Sequence, residues 1–240
     1  MLILALDTTT RSGSLAIVRD GRLLDLVEGD PARTHATRLP GAILDSLARH
    51  HLTLADLELY GVAAGPGSFT GLRIGLATVQ GLAFAHGRPV VGVSALEALV
   101  EAAGKPDAAG AGLRAAWMDA QRGEVYGQLY RQTGAAWQAL GPPVVDKPPD
   151  MLAAWFGAAP GEVVEFVGDG AVAFRAELDE ALGAKARVFD TVPPLAPAIA
   201  AITAREAEAG RSGPPGAVRP LYVRRPDAEL ARERRRRESA

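Results

Sequence analysis

The sequence predicts an α/β fold built from two similar halves, and three observations favour this fold. Short buried-strand runs alternate with stretches whose apolar residues recur at helical spacing. Each half begins with a strand that ends in an aspartate, at Asp7 and again at Asp119, and continues into a hairpin. A strand, a glycine turn and a helix then follow, in 62–84 and in 161–182. Such a repeat is typical of a duplicated domain.

Local patterns predict the elements of the first half. LILALD (2–7) is a buried strand, and SLAIVRDGRLLDLVEG (14–29) is a hairpin because Asp-Gly at its centre favours a tight turn. Helical spacing of apolar residues predicts an amphipathic helix over 34–52, which begins late or is kinked because it contains Pro40. The remaining elements are a strand near 58–64, a helix near 68–86, a strand over 89–93 and a helix from Ser94 to about Ala103.

The second half repeats this order after a weak linker at 104–112. A strand and hairpin are predicted over 113–140, and a proline-rich connection with a helix over 188–210. We therefore expect an N-terminal domain over 1–104, a smaller second domain over 105–194, a helix near 195–209 that returns to the first domain, and a charged tail over 224–240.

Composition excludes several classes of function. The chain has no cysteine, and therefore no disulfide, thiolate metal site or cysteine nucleophile. No basic region precedes the first strand, and no apolar run approaches about 20 residues, so we expect a cytoplasmic protein without a signal peptide or membrane span. The net charge is −2, although residues 224–240 carry seven arginines and four acids. We interpret this tail as a solvated helix.

The stretch GPGSFTGLRIG (65–75) places a glycine turn between a strand and a helix, as phosphate-binding loops do. It lacks the Lys-Ser/Thr pair of a P-loop, and Thr70 occupies the third glycine of the dinucleotide fingerprint. Glycines four residues apart would expose a strip of helix backbone, and Ala77 and Gly81 repeat that interval on an adjacent face. We therefore predict a packing surface, inside the domain or between chains, with anion binding as the alternative.

With LALDTTT (4–10), DAQRGEVY (119–126) and PLYVR (220–224), this loop resembles the TsaB, or YeaZ-type, family over residues 2–224. The resemblance implies an actin-like, Hsp70-like (ASKHA) fold of two ribonuclease-H-like domains. It also implies a non-catalytic partner of TsaD in forming N6-threonylcarbamoyladenosine at position 37 of tRNAs that read ANN codons. In that system TsaC makes threonylcarbamoyl-AMP, TsaD transfers the threonylcarbamoyl group and TsaE resets the complex. The implied partners are TsaD, TsaE and, indirectly, tRNA, with a homodimer as the alternative in isolation. For the arginine-rich tail over 224–240, an auxiliary tRNA contact is the alternative to a solvated helix.

Compared with active members of this superfamily, the nucleotide site looks degenerate. Actin-like ATPases carry a glycine at the position of Thr9, where a β-branched side chain should obstruct a phosphate. We predict a vestigial nucleotide site that holds no cofactor, formed by Asp7, Thr8, Thr9, Asp119, Gly168 and Gly170. Asp7 and Asp119 are interpreted as structural acids that cap loops.

The metal site of the related TsaD family is also missing. Its histidine motif corresponds here to residues 94–99, so that Ala95 and Leu99 stand where imidazoles would be needed. The four histidines of the chain are interpreted as surface or capping residues. We therefore predict neither a metal ligand nor a catalytic residue.

The resemblance further implies pairing through the helices at 34–52 and 68–86, in a four-helix contact with TsaD or a second copy. The residues predicted for this interface are Gly67, Gly71, Arg73, Gly75, Thr78, Leu82, His35 and Leu39. Gly75→Leu is expected to abolish pairing and to leave the monomer folded. Two other functions stay open: an ATP-dependent small-molecule kinase of the actin-like superfamily, and a metallopeptidase-like protein.

Overall fold

The structure is a computed structural model that describes residues 1–104, 112–134, 136–157 and 161–224. Five strands form the first sheet: β1 (Leu2–Asp7), β2 (Ser14–Arg19), β3 (Arg22–Glu28), β4 (Leu59–Gly65) and β5 (Val90–Ser94). Their order is β3-β2-β1-β4-β5. β1 and β3 are antiparallel to β2, whereas β1, β4 and β5 run parallel to one another. The central strand β1 is buried along its whole length, as its continuous apolar run predicts.

The second sheet repeats this arrangement. Its strands are β6 (Leu113–Asp119), β7 (Val125–Thr133), β8 (Ala136–Ala139), β9 (Val144–Asp146), β10 (Val164–Val167) and β11 (Ala186–Val188). The order is β11-β10-β6-β7-β8, with β9 paired to β7. β6 is antiparallel to β7 and parallel to β10, as β1 is to β2 and β4. This equivalence confirms the predicted duplicated α/β fold of the actin-like type.

Seven helices lie in the described residues: α1 (His35–Arg49), α2 (Phe69–His86), α3 (Ala95–Ala102), α4 (Pro148–Phe156), α5 (Asp169–Ala173), α6 (Arg175–Leu182) and α7 (Ala196–Glu208). Pro40 lies inside α1, which begins at His35, so the alternative of a later start was wrong. Within the described part of the chain, no helix is both long and apolar enough to cross a membrane.

The helices cover the first sheet on both faces. α1 and α2 pack on one face through a cluster that includes Leu39, Ile43 and Leu76. α3 and α7 pack on the other face, in a cluster that continues into the second sheet at Ala116 and Met118. Thus α7 follows the last strand of the second sheet and yet contacts β1 and β2 of the first. The shared cluster joins the two halves through α3 and α7.

A buried arginine of the second sheet also reaches across this junction. The Arg114 guanidinium on β6 donates to Glu165 on β10, at 2.9 Å from Nε and 2.6 Å from Nη2, and neither side chain is exposed to solvent. Its Nη1 donates to the carbonyls of Val100 and Gly104 at the end of α3. Arg114 therefore ties the last turn of α3 to the second sheet, and the sequence analysis did not predict this contact.

Candidate functional site

The turn between β1 and β2 is organised by Asp7. Its buried carboxylate accepts hydrogen bonds from the amide of Thr9 at 2.7 Å, the hydroxyl of Thr9 at 2.6 Å and the hydroxyl of Thr10 at 2.5 Å. A carboxylate that accepts three bonds from its own turn has little capacity left for another ligand. Asp7 thus acts as the cap of this turn.

The glycine loop and α2 press directly against the same turn. The amide of Ser68 donates to the carbonyl of Thr9 at 2.9 Å, and a Cβ at Gly67 would lie 2.6 Å from Thr9 Cβ. A Cβ at Gly71 would overlap the Thr8 carbonyl, and one at Gly75 would overlap the Thr8 hydroxyl. The β1–β2 turn, the glycine loop and the beginning of α2 are therefore packed closely against one another.

These contacts correct the interface prediction for two residues. Gly71 and Gly75 are buried against Thr8, so the glycine spacing there serves packing inside the domain and not an approach between chains. A leucine at Gly75 would collide with the β1–β2 turn. Contrary to the expectation from the sequence, Gly75→Leu is therefore expected to destabilise the monomer itself.

The corresponding turn of the second half is also held together by hydrogen bonds among its own residues. Asp119 accepts from the amide of Gln121 at 2.7 Å and from its side-chain amide at 2.6 Å. Asp169 accepts from the amides of Asp119 at 3.0 Å and Gly170 at 2.9 Å, and burial raises the pKa of its carboxyl. A Cβ at Gly168 would overlap the Trp117 carbonyl, so glycine at this position lets the turn pack directly against β6. Gly168 is one of the residues predicted for the vestigial nucleotide site.

A cleft of about 740 Å³ lies between the two turns. Of the residues predicted for a vestigial nucleotide site, only Thr9 and Asp119 line it, together with the predicted interface residue Gly67. The chain segment 221–224 forms another part of its wall. The cleft is thus bounded by both halves and by the last described residues.

The other predicted interface residues range from buried to exposed. Leu39 belongs to the core, and Leu82 packs partly against it. The Thr78 hydroxyl donates to the carbonyl of Ile74 at 2.8 Å, which ties it to its own helix. Arg73 is exposed, with its guanidinium 3.9 Å from the Phe69 ring centroid.

His35 contacts the β1–β2 turn. Arg38 donates to His35 Nδ1 at 2.6 Å, so the imidazole is neutral and its Nε2–H faces the Thr10 carbonyl at 3.2 Å. Burial, and then the charge of Arg38, lower the pKa of His35. This histidine therefore positions the turn that carries Asp7.

The exposed face of α1 and α2 carries apolar and small residues that the interface prediction missed. Phe84 is 82% exposed and Leu44 is 55% exposed. A Cβ at Gly41 or Gly81 would meet no atom within 4 Å. We call this surface the outer helix face, and its residues are Gly41, Leu44, Ala48, Ala77, Gly81 and Phe84. The four-residue interval between Ala77 and Gly81 was the sequence feature that indicated this surface. It lies on the helix face next to the face of Gly71 and Gly75, which the sequence analysis predicted as the interface.

The positions of the missing histidine motif lie in the core. Ala95 and Leu99 are fully buried in α3, between the two sheets. The described residues contain no group of three or more histidines and acids that could hold a metal ion. Residues 225–240, which include nearly all of the predicted tail, lie outside the described residues.

Comparison with known proteins gives a consistent set of relatives. A family model described as "TsaD: tRNA N6-adenosine threonylcarbamoyltransferase" matches residues 30–209. The Escherichia coli protein TsaB is 37% identical over 149 residues, which cover 62% of this chain and 63% of that protein. An uncharacterized protein of Mycobacterium tuberculosis is 34% identical over 95% of this chain and 93% of its own length.

Solved structures extend the likeness over nearly the whole chain. A Pseudomonas aeruginosa protein described as similar to peptidase YEAZ matches with a TM-score of 0.78 and 30% identity, over 93% of this chain and 99% of that one. YeaZ from the same organism matches with a TM-score of 0.75 and 29% identity, over 92% and 99%. The chain belongs to the TsaB, or YeaZ-type, family.

Proposed function

We propose that this chain is a non-catalytic subunit of the machinery that forms N6-threonylcarbamoyladenosine at position 37 of tRNAs that read ANN codons. Relatives from Escherichia coli and Bacillus subtilis carry the name "tRNA threonylcarbamoyladenosine biosynthesis protein TsaB". The role proposed here is that of a partner of TsaD, with TsaE joining the complex and tRNA reached through it, in the cytoplasm.

The close packing of the two turns against neighbouring elements supports a role without phosphoryl transfer. In the first half, Thr8 and Thr9 fill the space between the β1–β2 turn and α2. In the second half, the Gly168–Gly170 turn packs on β6. This close packing of both turns, with Thr9 where an actin-like ATPase would carry a glycine, favours the subunit role over the kinase alternative.

The observation that carries the proposal is the outer helix face. On this face a phenylalanine that is 82% exposed and a leucine that is 55% exposed add apolar surface to a run of small residues, and an exposed apolar patch of this kind marks an interaction site. Burying its side chain against a partner would contribute about 1.5–3 kcal/mol. Aromatic anchors surrounded by small or near-neutral contacts are typical of the energetic centre of protein interfaces.

The chemistry of this face fits another helix pair. Gly41 on α1 and Gly81 on α2 expose backbone without a side chain, and such positions allow helices to cross at short distance. Leu44 and Phe84 provide the apolar area. We therefore propose that TsaD docks its own helices here in a four-helix contact, and that a second copy of this chain competes for the same face.

Reconstituted transfer of the threonylcarbamoyl group to unmodified tRNA tests the proposal. TsaC, TsaD and TsaE are combined with the wild-type chain, with Phe84→Glu, or with Leu140→Glu, which changes an exposed leucine of the second half. We expect multi-turnover modification to need the chain, to be lost with Phe84→Glu and to persist with Leu140→Glu. Transfer that continues without the chain would overturn the proposal, and Mg-ATP binding by the isolated chain would favour the kinase alternative.

A further inference from the structure

The last described residues form a segment that follows the surface of the first half. At a 3-10 turn over Pro215–Ala217, the side-chain amide of Gln80 on α2 donates to the carbonyl of Pro215 at 2.9 Å and to that of Val218, just after the turn, at 3.0 Å. The amide of Leu221 then donates to the carbonyl of Ala64 in β4, at 2.6 Å. We call residues 218–224 the C-terminal strap.

The first half is shaped to receive this strap. A Cβ at Gly65 would lie 2.7 Å from the Leu221 carbonyl, and a Cβ at Gly92 would lie 2.7 Å from Val218 Cγ1. Side chains at these two positions would push the strap away from the strands. The close approach therefore depends on glycine at the end of β4 and in the middle of β5.

Tyr222 fixes the strap to the beginning of α2. Its ring lies 5.5 Å from the Phe69 ring, and its hydroxyl accepts a hydrogen bond from Arg73 Nε at 3.1 Å. The Arg73 guanidinium also lies over the Phe69 ring, 3.9 Å from its centroid. The strap thus continues the surface of the first half up to the edge of the cleft.

Arg224 carries the strap across to the second half. Its Nη1 donates to the carbonyl of Ala120 at 2.6 Å, and its Nη2 forms an ion pair with Glu124. Both partners belong to the turn between β6 and β7, and the guanidinium also lies 5.7 Å from the Tyr126 ring. The side chain is 20% exposed, so these contacts are partly shielded from solvent.

We propose that the C-terminal strap is a latch that holds the cleft between the two halves at one opening, with Arg224 as its positioning residue. The halves are joined through α3, α7 and Arg114 in the core, and a junction of that kind leaves rotation of one half against the other as the softest motion. A second tether across the cleft removes this freedom. Because Tyr222 also contacts Arg73, the latch couples the position of the second half to α2.

Distance measurements between the halves test the latch. The chain contains no cysteine, so spin labels can be attached specifically to Asp45→Cys on α1 and Glu180→Cys on α6, where both native side chains are exposed. We expect a single narrow distance distribution in the otherwise wild-type chain. With Arg224→Ala the width should at least double, and Arg224→Lys, which keeps the charge but loses the paired donors, should lie between the two.

A neighbouring arginine provides the matched control. Arg219 is exposed and donates within its own turn, to the Gly216 carbonyl at 2.6 Å, so Arg219→Ala should leave the distribution unchanged. Amide hydrogen exchange separates strap release from unfolding. Exchange at Leu221 should accelerate at least tenfold in Arg224→Ala, while exchange at Ile199 in the core should not change. Equal distance distributions for Arg224→Ala and Arg219→Ala would overturn the latch.

Discussion

In α2, the position of a glycine decides whether its replacement by alanine raises or lowers the free energy of unfolding. Alanine is favoured over glycine by up to about 1 kcal/mol at an interior helix position. At Gly81 the added Cβ meets open space, so Gly81→Ala should stabilise the chain by about 0.5–1 kcal/mol. This value is the reference for the two glycines that face Thr8.

At Gly75 the new Cβ would overlap the Thr8 hydroxyl and would lie 3.3 Å from Thr8 Cβ. Overpacking of this kind costs typically about 1–3 kcal/mol, against which the helix preference returns up to about 1 kcal/mol. We expect Gly75→Ala to destabilise the chain by about 1 kcal/mol. Gly71→Ala should cost more, about 2 kcal/mol, because its Cβ would meet the Thr8 carbonyl, which belongs to the backbone and cannot rotate away.

A double-mutant cycle isolates the contact with Thr8. The Thr8 hydroxyl is buried and has no hydrogen-bond partner, so Thr8→Ala removes the clashing atom without breaking a hydrogen bond. We expect Thr8→Ala to rescue most of the loss in Gly75→Ala and little of the loss in Gly71→Ala. Urea unfolding followed by circular dichroism measures each free energy. If Gly75→Ala were as stable as Gly81→Ala, the reasoning from internal packing would be refuted.

Three further predictions concern the outer helix face, the β1–β2 turn and the buried ion pair. Phe84→Glu should weaken pairing with TsaD or a second copy by about 10- to 100-fold in analytical ultracentrifugation, and Leu140→Glu should not; equal effects would contradict the interface. The pKa of His35 is lower in the folded chain than in the unfolded chain, so the unfolded chain takes up the proton first. The free energy of unfolding should therefore fall as the pH drops below about 6.5, and thermal unfolding of His35→Gln should not show this part of the pH dependence. Arg114→Met should cost about 3–5 kcal/mol in urea unfolding because it removes the positive charge that faces the buried Glu165 carboxylate, and adding Glu165→Met should restore part of the loss; an undiminished loss would contradict pairing as the cause.

Local patterns in the chain were sufficient for the order of the elements and for the duplication. A strand that is buried on both faces is apolar throughout, and a hairpin with Asp-Gly at its centre needs no distant contact to be predicted. For that reason β1, the β2–β3 hairpin, α2 and their counterparts appear where the sequence predicts them, within a few residues. The family motifs are equally local, since 65–75 and 119–126 are continuous stretches.

The contacts of the candidate site were harder to predict from the sequence, because they join segments that are distant in the chain. Periodicity indicates that α2 has a glycine-rich face, but it does not say which neighbour covers that face. Only the sheet order brings Thr8 onto Gly71 and Gly75 and leaves Gly81 and Phe84 outside.

By itself, therefore, the sequence determined the fold class, the repeat and the family of this protein, because these depend on patterns within short stretches. The tertiary structure decided which helix face is free for a partner and how Arg114 and Arg224 connect the two halves. The physical reason is that close packing and hydrogen bonding act between whichever groups the fold brings together. The partners of Arg224 lie about a hundred residues earlier in the chain, so no local pattern could have indicated them.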